Sequence, residues 1–158
     1  MSSTTRSFAA AAALLMVSSL APILAAPPQR DAERGVRRTL MRLNELLSAR
    51  DMSIVSEFAP GENTLLVGSL PDDRARGLGE LEGHFRKYFD QAETITYAWR
   101  EVEVSVRGAV AWLHAEGEVV RHGADGDRRK PYRLTGVLEQ HGGKWLWRVF
   151  HGSEPAAG

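Results

Sequence analysis

The stretch Lys144-Trp145-Leu146-Trp147-Arg148-Val149-Phe150-His151-Gly152-Ser153-Glu154-Pro155 governs how the rest of the chain is read. At a period of two it puts Trp145, Trp147, Val149, His151 and Ser153 on one face of a strand. Such a strand runs from packed indoles to an imidazole and a hydroxyl. That is the make-up of a pocket wall, mostly apolar with a few placed polar groups.

Three long strands precede it. Residues 94–107 read Ile95, Tyr97, Trp99 and then Val102, Val104, Val106, with the parity slipping by one at Arg100-Glu101. A β-bulge there keeps both sets on one face and bends the strand. Residues 109–121 and 132–140 complete a four-strand meander. Ahead of it, Val36, Leu40, Leu43 and Leu47 recur at helical spacing within 31–50. A second short helix starts at Asp51 and stops at Ala59-Pro60-Gly61. A strand over 64–68, turn chemistry at Pro71-Asp72-Asp73 and a helix over 79–90 follow, the last burying Leu81, Phe85, Tyr88 and Phe89. This order predicts an α+β fold, a curved mixed or antiparallel sheet wrapped around the N-terminal helices as a cone-shaped barrel.

The chain of 158 residues is not all one domain. Arg6, an apolar run from Phe8 to Val17 and small residues up to Ala26 form the pattern of a secretory signal peptide over residues 1–26, cut near Ala25 or Ala26. Residues 27–30 read as a disordered lead-in, and 31–155 as one domain. Export predicts a periplasmic or secreted protein with no membrane attachment after cleavage. No cysteine is present, so packing alone must hold the exported domain together. With 20 basic and 20 acidic residues no long-range field draws the chain to nucleic acid or anionic membrane.

Arg133-x-Thr135-x-Val137, Gly143-Lys144-Trp145 and His151-x-Ser153-x-Pro155 resemble the SnoaL-like branch of the nuclear transport factor 2-like superfamily. The resemblance covers about residues 31–155 and extends to the related kinase association domain. It implies a cone-shaped α+β fold, frequent dimers and, in the enzymes of the branch, cofactor-free proton chemistry. The family often carries two histidines two apart in the last strand; here the first is Val149.

Two hairpin closures compete for the last two strands. A three-residue loop, His141-Gly142-Gly143, pairs Arg133 with His151 and Thr135 with Val149. A two-residue Gly142-Gly143 turn puts Leu134 opposite His151 instead. The first agrees with the resemblance and sets Arg133, Thr135, His151 and Ser153 on the face of the two tryptophans. Arg107-Gly108, read as a two-residue turn, sends Val102, Val104, Val106, Ala111, Leu113 and Ala115 to the core. It sends Glu101, Glu103, Ser105, Trp112, His114, Glu116 and Glu118 to the other face. His114-x-Glu116-x-Glu118 is no metal site, because same-face neighbours along a strand stand roughly 6.5–7 Å apart and cannot converge on one ion. Trp112, with His114 and Glu116 around it, reads as the anchor of a homodimer interface. His84, His122 and His141 read as surface.

The expected protein is therefore an exported domain whose pocket holds a small apolar or weakly acidic molecule, without a cofactor. Tyr97, Trp99, Thr135, Trp147, Ser153, Phe85 and Tyr88 are its expected lining. The alternative is a cofactor-free lyase, isomerase or hydrolase with His151 as general base and Arg133 stabilising oxyanion charge.

Overall fold

The structure is a computed structural model that describes residues 27–155. The expected signal peptide lies outside the described residues. Helix α1 (Pro27–Ala49) buries Val36, Leu40, Leu43 and Leu47, the expected stripe, together with Leu46. It already includes Pro27, the first described residue, so residues 27–30 are helical, which corrects the lead-in. After a 3₁₀ helix (Met52–Glu57), capped by Asp51 accepting from the Ser53 amide at 2.8 Å, come β1 (Leu65–Val67), β2 (Arg74–Arg76) and α2 (Gly77–Phe89). The meander is β3 (Thr94–Arg107), β4 (Val110–Gly123), β5 (Gly126–His141) and β6 (Lys144–Ser153).

The strands form one six-stranded sheet in the order β2-β1-β6-β5-β4-β3, with β1 parallel to β6 and the other pairs antiparallel. Helix α1 closes the edge at β3. Asn44 accepts from the Tyr97 amide at 2.7 Å and donates to its carbonyl at 3.2 Å, as a neighbouring strand would. Arg37 donates to the Val102 carbonyl at 2.9 Å. An edge covered in this way offers little to a stray chain.

The expected bulge in β3 is present, with the register shifting between Trp99 and Glu101. The β3–β4 turn is Gly108-Ala109, one residue later than expected, because Arg107 pairs with Val110. The pairing slides by two, and an even slide leaves every face as predicted. Strand β5 begins six residues before its expected start. Its extra residues Arg128, Arg129 and Lys130 are held by ion pairs to Glu93, Glu118 and Glu154.

Strand β6 departs from the expectation. Gly142 and Gly143 have φ of 54° and 83°, and His141 pairs with Lys144, so the two-residue turn forms. Two consecutive left-handed residues match the twist of a tight hairpin, and glycine adopts them without strain. A second bulge then shifts the register, since Leu138 pairs with Trp147 but Val137 with Val149. The extra residue, Arg148, donates to both Glu139 oxygens (2.9 and 2.7 Å), to Thr64 Oγ1 (2.8 Å) and to the Pro60 carbonyl (3.1 Å). Past the bulge the inward residues are Phe150 and Gly152, not Val149, His151 and Ser153. His151 pairs with Thr135, and Arg133 with Ser153.

Candidate functional site

Arg133 and His151 do share a face, but it is the outer one. His151 is exposed, and Arg133 Nε ion-pairs with Glu116 at 3.1 Å. Thr135 also faces outward, within 3.3 Å of His114 Nδ1, and Ser153 lies on the same side. None of the four lines a hollow: the two-residue turn sends Arg133 and Thr135 outward, and the Arg148 bulge then reverses the parity of His151 and Ser153. Trp147 is fully buried core, its ring lying over Gly136, where a Cβ would come within 2.3 Å of it. Trp99 stacks behind Tyr97, ring centroids 5.1 Å apart, and stays behind the cavity wall.

The hollow lies between α2 and the near halves of β3, β4 and β5. Helical spacing brings Leu81, His84, Phe85 and Tyr88 to one side of α2. Leu81 and Phe85 are buried, while His84 and Tyr88 turn into the cavity. Across from them stand Tyr97 of β3 and Tyr132 of β5, ring centroids 4.9 Å apart. The β1–β2 turn supplies Asp73, whose Oδ1 is 3.4 Å from His84 Nε2. Two glycines make this possible. A Cβ at Gly68 would sit 1.6 Å from Asp73 Oδ2, and one at Gly152 would sit 1.8 Å from the Tyr132 hydroxyl.

The cavity has an outer chamber of about 410 Å³ and a smaller one of about 40 Å³. Asp73, His84, Tyr88, Tyr97 and Tyr132 border both, forming a waist between them. Lys87, Gln91 and Arg121 stand on the outer chamber; Arg121 is ion-paired with Glu154, which also accepts from Lys130 at 2.9 Å. Burial opposes the charge of Glu154, but the bonds from Lys130 and Arg121 outweigh it and hold the carboxyl below its ordinary range.

Burial also holds the His84 imidazole below its ordinary 6.5; Asp73 opposes this and Lys87 adds to it. His84 is therefore a neutral base at pH 7. Burial pushes Tyr97 up to about 12, and Tyr88 and Tyr132 upward as well, so all three remain protonated donors. A neutral imidazole beside a carboxylate, with phenolic donors opposite, can take a proton from carbon and stabilise the oxyanion that forms.

Of the expected lining, Tyr97, Tyr88 and Phe85 border the hollow, whereas Trp99, Thr135, Trp147 and Ser153 do not. The sequence reading missed His84, Asp73 and Tyr132. His84 had a legible signal, since 81, 84, 85 and 88 form one helical stripe. Asp73 and Tyr132 had none, because a turn and a strand meet there only in the fold. A second relay, Thr96 Oγ1 to His122 Nε2 (2.9 Å) and His122 Nδ1 to Asp127 (2.8 Å), faces outward and joins the ends of β3, β4 and β5. It borders neither chamber.

A curved sheet closed over helices around such a hollow defines the nuclear transport factor 2-like class of α+β proteins. Within it, the chain belongs to the SnoaL-like domain family, whose model matches residues 36–157. A candidate dehydratase of the nuclear transport factor 2-like family from Streptomyces avermitilis superposes with a TM-score of 0.73 at 17% identity, covering 81% of this chain and 99% of that one. A candidate scytalone dehydratase from Novosphingobium aromaticivorans superposes at 0.68 with 9% identity, covering 82% and 91%. A candidate calcium/calmodulin-dependent protein kinase II association domain from Xanthomonas campestris superposes at 0.65 with 18% identity, covering 79% and 89%. At these identities the likeness extends to the fold. No curated protein matches the chain in sequence.

Proposed function

We propose that this protein is a cofactor-free lyase or isomerase that moves a proton on a small oxygenated molecule held in the tyrosine-lined cavity. The observation that carries this reading is the His84–Asp73 pair, 3.4 Å apart at the waist of the cavity and faced by three neutral tyrosines. Asp73 next to Nε2 favours the tautomer with its proton on Nε2, leaving Nδ1 basic. His84 then removes a proton α to a carbonyl, and a tyrosine hydroxyl bonds the enolate oxygen. In a β-hydroxy ketone the imidazolium returns that proton to the departing hydroxyl, so C–H and C–O break, C=C forms and water leaves. The two structural relatives described as candidate dehydratases make that branch a reasonable first assay. In this reading His151 and Arg133 take no part in the chemistry.

The test is loss of water from a panel of cyclic β-hydroxy ketones, followed by mass spectrometry, with wild type, His84→Gln and Asp73→Asn. A wild-type rate reduced roughly 10²–10⁴-fold in His84→Gln supports the reading. Ligands that bind and are never turned over would leave a binding protein, the simpler function. Two further parts of the proposal come from the sequence. Residues 1–26 direct export to the periplasm or medium, and two copies pair through the outer face around Trp112, which is 49% exposed.

A further inference from the structure

Beyond the waist, the smaller chamber is walled by Leu43 and Leu47 of α1, Leu66 of β1, Phe85 of α2 and Phe150 of β6. All five are at most 6% exposed. Gly68, which has no side chain, completes the wall, and the ionisable and hydroxyl groups stand only at the waist. A ligand reaching past His84 therefore enters a space that offers it no hydrogen bond, so only an apolar group gains by filling it. The other chamber is ten times larger and carries Lys87, Gln91 and Arg121, so the polar bulk of a ligand belongs there.

An apolar cavity of roughly 150 Å³ takes a benzene ring, so a chamber of about 40 Å³ takes only a short alkyl group. We propose that this chamber sets substrate choice, accepting a carbonyl or hydroxyl compound whose reacting oxygen is flanked on one side by a short alkyl group. The inference rests on the functional reading above, in which the reacting oxygen sits at the waist. The walls come from four different elements and are core side chains, and such a lining does not stretch to admit a longer chain without displacing them. Leu47 and Phe150 are then specificity-determining residues, one from each side of the chamber.

The test uses alkyl phenyl ketones from acetophenone to hexanophenone, with dissociation constants read from chemical-shift changes of the His84 imidazole in the full protein. Affinity should rise about four-fold per added methylene up to an ethyl or propyl group and fall by a similar factor for each carbon beyond. Leu47→Ala should move the optimum to a longer chain, and the near-isosteric Leu47→Met should leave it in place. The wild-type series alone decides the matter if Leu47→Ala fails to fold. A steady rise through hexanophenone, or no dependence on length while His84 still responds, overturns the chamber and leaves the pocket standing. No response of His84 to any ketone overturns the pocket reading and the chamber with it.

Discussion

Strands β3 and β6 each carry one bulge, and the two differ in how they announce themselves. In β3, apolar residues sit at 95, 97 and 99 and then at 102, 104 and 106, with the polar Glu103 and Ser105 between the later ones. The slip of parity at Arg100 is visible in that pattern, and the structure has the bulge there. In β6, Val149 and Phe150 are both apolar, so either could continue the inward row begun by Trp145 and Trp147. Nothing local marks Arg148 as the extra residue. The bulge is held by partners far along the chain, Thr64 and Pro60, and by Glu139 on the neighbouring strand. A bulge made by side-chain pattern can be read; one held by hydrogen bonds to residues far along the chain cannot.

The contrast is best broken by substitutions on either side of Arg148. Trp147→Ala should remove about 3–5 kcal/mol of stability in chemical denaturation, because a fully buried indole leaves a cavity. His151→Ala, on the exposed side of the same strand, should stay within about 0.5 kcal/mol of wild type. Equal losses in the two variants would mean that the strand does not change parity between them.

Arg148→Ala should cost about 1–3 kcal/mol, since it strips a forked guanidinium from Glu139 and Thr64. It should also make the fold less sensitive to acid. Bonding from Arg148 holds the Glu139 carboxyl below its ordinary 4.5. A depressed carboxylate stabilises the fold above that unfolded value, and the stabilisation is lost as pH falls through the lower folded one. Denaturation midpoints between pH 6 and 3 should therefore drop more steeply in wild type than in Arg148→Ala. Parallel curves would remove the ion pair as the keeper of the bulge.

Smaller effects sharpen the comparison at the cavity. The His84 resonance should titrate below 6.5, and Asp73→Asn should shift it lower still, because the carboxylate is what raises it. A base with a depressed folded pKa costs stability as pH falls through 6.5, so His84→Gln should flatten stability between pH 7 and 5. A His84 titrating above 6.5 would refute its burial. Smallest for folding is Trp112→Glu on the exposed face, which should change monomer stability by less than about 0.5 kcal/mol. In sedimentation it should turn the proposed dimer into monomer, and an unchanged oligomer would retire that interface.

Much of the scaffold was legible. The α1 stripe, the four long strands, the β3 bulge and the inner and outer faces of β3 and β4 follow from periods of 3.6 and 2 in neighbouring residues. The slide of the β3–β4 turn shows how forgiving that logic is, since an even error in register leaves the faces intact. The candidate site was half legible. Tyr97, Tyr88 and Phe85 were found from their own periodicity, while Arg133 was misplaced by the two-residue turn at Gly142-Gly143 and His151 by one undetected residue of bulge.

The sequence by itself determined the order of elements, the α+β class and the core face of most of them, because each depends on repeats within a few residues. The tertiary structure alone decided which way the last strand turns after Trp147. It also decided that Asp73, His84 and Tyr132 meet around one hollow. Those outcomes depend on a guanidinium reaching back to Thr64 and on glycines at 68 and 152 leaving room for a carboxylate and a phenol. Such clearances exist only between segments distant in the chain.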